Sequence, residues 1–258
     1  KEALLAKKHV FCEKPMTLDV REGEELCALA ETSGVKFMVG YTFLYNNGVR
    51  YLKKIGRSKS LGKLYYMTST RTHMGLIRED VDAAWDLASH DISIMNYILD
   101  ETPVAVSSIG ASPLGNKHHD VAFITLHYKN DIIGQIHVSW VDSNKERKLS
   151  LIGSKARVEF DDLNDLEPIR MYEKGISIVA AGSIEPEYGN FRFLLRDGDI
   201  ISPKIEMSEP LYQMIDSFVC AVLDNTEIIT DGRFALEITK TLISIQHSFQ
   251  SKSIQQIS

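Results

Sequence analysis

The chain has 258 residues, 44% of them hydrophobic and 25% charged, enough to bury the core of one large domain or two modest ones. A net charge of −6 and a pI near 5.8 argue against a broad basic footprint for nucleic acid, and no run of about 18 apolar residues is present to span a bilayer. The cysteines Cys12, Cys27 and Cys220 are odd in number and lack C-x-x-C spacing, so neither a disulfide framework nor a zinc ribbon is expected, and a reducing cytoplasm fits best.

"KEALLAKK" reads as the last turns of a helix with basic residues at its C-terminal end, where they suit the macrodipole, and "HVFCE" as a short buried strand. The opening has no apolar signal core and starts at Lys1 rather than methionine, so the natural N-terminus is expected further upstream. "TLDVREGEELCALAETSG" offers Thr17 or Asp19 as N-cap, Leu26, Leu29 and Ala30 at helical spacing, and Gly34 as a stop. "VKFMVG" follows as a second buried strand, and strand, helix, strand with short connections is the pattern of a parallel α/β sheet.

After Gly40 the texture changes. "GVRYLKKI" reads as helix, "KLYYMTSTRTHM" alternates like a strand, and "AAWDLASHDISIMNYILD" reads as an amphipathic helix ended by "ETP". "VAVSSIGAS", "DVAFITLHYK", "DIIGQIHVSWV", "RKLSLIGSKARVEFDD", "PIRMYEK" and "NFRFLLRDGD" are strand-like and predict one open, largely antiparallel sheet. "EPLYQMIDSFVCAVLDN" and "DGRFALEITKTLISIQHSFQ" predict two amphipathic helices, the second opened at Asp231-Gly232. No internal repeat or low-complexity linker stands out.

Two places carry candidate chemistry. A helix over 82–99 sets Asp86 and His90 four apart on one face, so a carboxylate can orient an imidazole and make it a general base near neutral pH. The same spacing fits an ion pair or cap on an ordinary surface helix. Lys14 follows a strand, at the edge where open α/β sheets bind ligands, and Pro15 fixes the backbone beside it. A partly buried lysine there can polarise a hydroxyl or join a proton relay; a surface Glu13-Lys14 pair before a turn is the plainer alternative.

Other signals are weaker. His118, His119 and Asp120 are adjacent on an extended strand and point to opposite faces, with no third ligand at a suitable spacing, so no metal is expected. His127 and His137 sit in alternating strands as sheet-face residues, and Arg71, Arg78 and Lys63 could meet phosphate oxygens. There is no G-x-S-x-G elbow, no P-loop and no pair of glycines at G-x-G spacing.

With these residues in place, the sequence resembles the glucose-fructose oxidoreductase, inositol dehydrogenase and MocA (Gfo/Idh/MocA) family of NAD(P)-dependent sugar oxidoreductases. Three anchors carry the resemblance: "AKKHVFCEKPMTLDVREGEELCALAETSGVKFMVGY", in which Glu13, Lys14 and Pro15 match the family's E-K-P; "WDLASHDISIMNYIL", with Asp86 and His90; and the weaker terminal helix "TDGRFALEITKTLISIQHS". "YTFLYNNGVRYLKKI" through "STRTHMGLIREDVDAAWDLASHDISI", with "VSWVDSNKERKLSLIGSKARVEFDD", looks most like members acting on nucleotide sugars for surface polysaccharides.

The resemblance implies an α/β plus α+β architecture. Residues 1–40 would be the C-terminal part of a Rossmann domain, and residues 41–258 a substrate and oligomerisation domain whose last helices pack back on the first. At about 30 residues per strand-helix-strand unit, roughly 90 residues with the glycine loop would lie upstream. NAD or NADP is the implied cofactor, with Glu13, Lys14, Pro15 and Trp85 near it; Lys14, His90 and Asp86 are the implied catalytic groups, Asp86 orienting His90. Tyr41, Tyr45, Asn46, Arg71 and Arg78 are the expected substrate contacts. A sugar or nucleotide-sugar substrate, a homodimer or homotetramer formed through the sheet, and no nucleic-acid or membrane partner complete the expectation. The rival reading is a non-catalytic sugar-binding or assembly protein with an incomplete Rossmann domain.

Overall fold

The computed structural model describes residues 1–178, 193–206 and 208–257. A short helix α1 (Glu2–Leu5) leads into strand β1 (Val10–Cys12), helix α2 (Val20–Ser33) and strand β2 (Phe37–Val39). Asp19, rather than Thr17, starts α2: its Oδ1 accepts the backbone N–H groups of Arg21 at 2.8 Å and Glu22 at 3.1 Å. Gly34 ends the helix at φ 65°, a left-handed conformation that a glycine adopts without a Cβ penalty. β1 and β2 run parallel, Val10 opposite Phe37 and Cys12 opposite Val39.

A 3₁₀ turn (Thr42–Tyr45) precedes helix α3 (Asn47–Gly56), then come strand β3 (Leu64–Met74), a single π-helical turn (Ala84–Ala88) and helix α4 (Ser89–Leu99). The remaining chain supplies β4 (Ala105–Ala111), β5 (Val121–His127), β6 (Ile133–Ser139), β7 (Val141–Gly153), β8 (Arg157–Asp161), β9 (Ile169–Tyr172), β10 (Gly175–Ile178), β11 (Phe193–Arg196), β12 (Ile200–Ile201), helices α5 (Pro210–Leu223) and α6 (Gly232–Ser251), and β13 (Gln255–Gln256). β10 and β11 pair apart from the main sheet. Asn190, Phe191 and Arg192 of the expected strand "NFRFLLRDGD" lie outside the described residues.

Nine strands form one open sheet in the order β12-β9-β8-β7-β3-β6-β5-β4-β13. Every neighbouring pair in it is antiparallel except β3 and β6, whose parallel register sets Tyr66 opposite Ile133 and Thr72 opposite Ser139. A parallel pair needs a crossover, and α4 with the β4–β5 hairpin provides it. The sheet is therefore mixed at its centre, where α4 crosses.

The helix expected to be amphipathic is buried almost all round, from Ser89 through Ile98 with few exceptions. It lies between the sheet and the helical layer: Ser69 Oγ of β3 donates to Asp91 Oδ1 at 2.7 Å, and Tyr128 OH donates to Asn96 Oδ1 at 2.8 Å. α6 covers β4, where the Ser108 N–H donates to Ser248 Oγ at 2.9 Å. The start of α6 meets the first strands: the Val39 N–H donates to the Thr230 carbonyl at 2.9 Å, and a Cβ on Gly232 would lie 2.7 Å from the Phe37 ring. One apolar core runs from Leu4 and Phe37 through Ile92 to Ile245.

Candidate active site

β1 ends at Cys12, and two residues later the Lys14 side chain turns into the interior; the Lys14-Pro15 peptide is cis. Its Nζ donates to the backbone carbonyl of Asp86 at 2.7 Å and faces Asp86 Oδ1 at 3.5 Å. Burial lowers the Lys14 pKa from its ordinary value; Asp86 opposes that shift, and Arg78 and Arg71 add to it. Glu13 extends over the end of β2, where a Cβ on Gly40 would stand 3.0 Å from its Oε2, so the absence of a side chain lets the carboxylate approach. The neighbouring Cys12 thiol is pushed up to about 11, first by burial and then by Glu13, which removes it as a nucleophile at neutral pH.

Asp86 lies in the single π-helical turn that leads into α4, and its carboxylate is taken by partners from other elements. Asp86 Oδ1 faces Lys14 and, at 3.6 Å, Arg78 Nη1; its Oδ2 accepts the indole N–H of Trp140 at 3.3 Å. The expected Asp86-His90 hydrogen bond is not among those of the described residues, and the carboxylate serves the lysine instead.

His90 is half-buried, and its Nδ1 is sealed with no hydrogen-bond partner. Phe43 meets the imidazole edge-on, ring centroids 5.0 Å apart. Burial holds the His90 pKa well below its ordinary value, and the positive charges of Lys14, Arg71 and Arg147 hold it lower still. The imidazole is thus neutral near pH 7, a proton acceptor beside a cationic lysine.

The other expected contacts separate into site and scaffold. Arg78 reaches the site, bound to Asp80 through Nε at 2.9 Å and facing Asp86. Arg71 lies behind the site: it is 6% exposed, and its Nε and Nη2 are bonded to Asp91, although its charge is felt by Lys14 and His90. Tyr41 and Tyr45 are fully buried, because the 3₁₀ turn between them points both rings into the core. Asn46 caps α3, its Oδ1 accepting the Gly48 N–H at 2.7 Å while its Nδ2 donates to Asp162 Oδ1. Trp85 is 3% exposed within the core, so the expected cofactor-facing tryptophan is scaffold. Trp140 is the tryptophan that touches the site. No spacing in the sequence links it to Asp86, since only the sheet brings positions 86 and 140 together.

Residues 1–41 match the family model described as "Oxidoreductase family, NAD-binding Rossmann fold", and residues 49–159 match that of the "GFO/IDH/MocA C-terminal domain". The chain belongs to the GFO/IDH/MocA family. Its curated relatives include the 2,7-anhydro-N-acetylneuraminate hydratase of Escherichia coli (strain K12), 23% identical over 60% of this chain and 45% of that protein. They also include the UDP-N-acetylglucosamine 3-dehydrogenase of Acidithiobacillus ferrooxidans, 24% identical over 69% of this chain and 55% of that protein. The chain thus spans about half the length of these relatives. Among solved structures, the WlbA dehydrogenase of Bordetella pertussis in complex with NADH and UDP-GlcNAcA superposes over 100% of this chain and 74% of that one, with a TM-score of 0.75 at 19% identity, which is a likeness of fold.

The GFO/IDH/MocA fold implies a nicotinamide dinucleotide, and the donor set can be tested against it. A cationic lysine and a neutral imidazole stand beyond the carboxyl end of the parallel pair β1–β2, where open α/β sheets bind ligands. That set fits the nicotinamide end and a reacting hydroxyl. With no two glycines at G-x-G spacing in the sequence, no residue here is assigned to the pyrophosphate.

Proposed function

We propose that this protein is an NAD(P)-dependent oxidoreductase that transfers a hydride between nicotinamide and a ring hydroxyl or keto carbon of a sugar, and that the sugar is a nucleotide sugar used in surface-polysaccharide synthesis. The observation that carries the reading is Lys14 Nζ, drawn from the end of a parallel strand onto the Asp86 carbonyl in the turn that leads to His90, whose Nδ1 is sealed. NAD or NADP, when bound, would supply the hydride acceptor or donor. Lys14 Nζ would hydrogen-bond the reacting oxygen and stabilise its negative charge. His90 would take or return the hydroxyl proton at Nε2, since its Nδ1 is sealed away. Glu13 and Pro15 would hold the lysine in place, and Arg78 would meet a substrate anion at the mouth of the site.

The outer face of the sheet supports an assembled state. Ile109 and Phe123, opposite each other on β4 and β5, are 75% and 49% exposed, and Phe123 stacks on His137 of β6 at 4.4 Å. A homodimer or homotetramer would bury this face. Light scattering of the protein tests it, with a monomer at micromolar concentration counting against it. No helix among the described residues is long and apolar enough to cross a membrane, and with Cys12, Cys27 and Cys220 all free the reading places the protein in a reducing cytoplasm.

Assay of the protein with NAD and NADP against UDP-, GDP- and dTDP-sugars tests the activity. Lys14→Ala and His90→Ala are each expected to lower turnover by ~10²–10⁴ while retaining the fold. Because one relative is named a hydratase, products are read as well as NADH. Full activity in either variant removes that residue from the mechanism. Tight sugar binding with no turnover under any cofactor favours the sugar-binding or assembly reading.

A further inference from the structure

The two oxygens of Asp86 keep different company. Oδ1 stands 3.5 Å from Lys14 Nζ and 3.6 Å from Arg78 Nη1, whereas Oδ2 accepts the Trp140 indole N–H at 3.3 Å. Trp140 is 1% exposed and sits at the join of β6 and β7, where its backbone N–H donates to the Asp120 carbonyl at 2.9 Å. Its indole is therefore a donor fixed by the sheet rather than a mobile one. The carboxylate can turn about its last bond, a torsion that is intrinsically broad, so a donor locked on Oδ2 selects the rotation that leaves Oδ1 on the ammonium. Lys14 and Asp86 side chains are only 13% and 21% exposed, so water does little to screen the pair.

We propose that Trp140 is a positioning residue: its indole N–H orients Asp86 as the counter-ion of Lys14, so that Asp86 governs the charge of the lysine, and His90 works without a carboxylate partner. The catalytic meaning rests on the oxidoreductase reading above; the electrostatic coupling does not. The charged or titratable groups facing Lys14 are Asp86 from the π turn, Arg78 from the loop before it, Arg71 from β3 and His90 from α4, with Glu13 beside it in the chain. Asp86 is the group among them that favours the ammonium, while burial, Arg78 and Arg71 oppose it. Loosening Asp86 must then shift the lysine further down.

The coupling can be read without cofactor or substrate. The Lys14 side chain is titrated by carbon NMR on the protein labelled at lysine Cε, its resonance assigned by its loss in Lys14→Arg. Asp86→Asn is expected to lower the Lys14 pKa, and Trp140→Phe, which keeps an aromatic ring and loses the donor, to lower it by a smaller amount. In the double variant the Lys14 pKa should equal that of Asp86→Asn, because the indole acts through the carboxylate. An unchanged Lys14 pKa in Trp140→Phe, or an equal further drop in the Asp86→Asn background, overturns the proposal. Should Trp140→Phe fail to fold, the Trp140 indole proton decides: it should move upfield in Asp86→Asn, and an unmoved resonance overturns the proposal equally. A protein that folds and titrates in this way yet never oxidises a sugar would sink the functional reading alone.

Discussion

Arg71 and Asp91 share two hydrogen bonds in the interior, Nε to Oδ2 at 2.9 Å and Nη2 to Oδ1 at 3.1 Å. Asp91 follows His90 in α4 and also accepts from Ser69, so the first turn of the helix is tied to β3 at two residues. Phe43 completes the support, with the Arg71 guanidinium 4.5 Å over its ring and its edge against His90. The imidazole is thereby held from behind by an ion pair and an aromatic ring.

Removing one partner of that pair leaves a buried charge uncompensated, which costs ~3–5 kcal/mol, far more than a surface bridge. Arg71→Ala should therefore lose most of the protein's urea resistance, and Arg71→Met combined with Asp91→Leu should recover much of it. A loss below ~1 kcal/mol for Arg71→Ala would show the pair to be solvated in solution.

His90 gives a pH signature. Its folded pKa lies well below the ordinary 6.5, so between the two values the unfolded chain binds the proton and the native state does not. Its stabilising effect is full above the unfolded value and is lost progressively as pH falls below it. Each pH unit in that window removes up to ~1.4 kcal/mol. Urea unfolding from pH 7 to pH 5 should show a shallower decline for His90→Gln than for the wild type, and parallel declines would refute a neutral buried imidazole.

Two glycines of α3 should respond differently to alanine. A Cβ on Gly48 would lie 2.4 Å from the Phe160 ring, which cannot yield easily within the core, whereas one on Gly56 would meet Ile98 Cγ2 at 3.2 Å. Alanine is worth ~1 kcal/mol over glycine inside a helix, and overpacking costs ~1–3 kcal/mol. Gly56→Ala should raise the melting temperature or leave it unchanged, and Gly48→Ala should lower it. The comparison fails if both move the same way by similar amounts.

What could be read from the sequence was mostly local. The first parallel unit is legible because Asp19 and Gly34 punctuate α2 and apolar runs flank it, and Lys14 follows from its place after β1. His90 is legible as a residue, but its partner is not: the four-residue spacing offers Asp86, whereas Lys14 and Trp140, from distant segments, hold that carboxylate. Tyr41, Tyr45, Asn46 and Arg71 have side chains that suit a sugar site equally well, and burial and capping, set by distant segments, assign them to the scaffold. The parallel β3–β6 pairing and the Trp140-Asp86 contact depend on sheet order, which no short spacing encodes.

Lys14 should separate stability from activity. Burial outweighs the attraction of Asp86 and leaves the lysine pKa below its ordinary 10.5, so at neutral pH the ammonium is less favoured in the native state than in the unfolded chain. The sign follows: the unfolded state holds its proton to higher pH, and native stability from this group rises only as pH climbs past the lowered folded value toward 10.5. Lys14→Met keeps the stem's apolar packing and removes the charge, while Asp86 retains Trp140 and Arg78. The variant should melt at or above the wild-type temperature and yet lose ~10²–10⁴ of its turnover, since the reacting oxygen loses its donor. That pattern, a gain in stability with a loss of rate, marks a residue kept for chemistry at some cost to the fold. A Lys14→Met protein that is both less stable and fully active would show the lysine to be a structural strut.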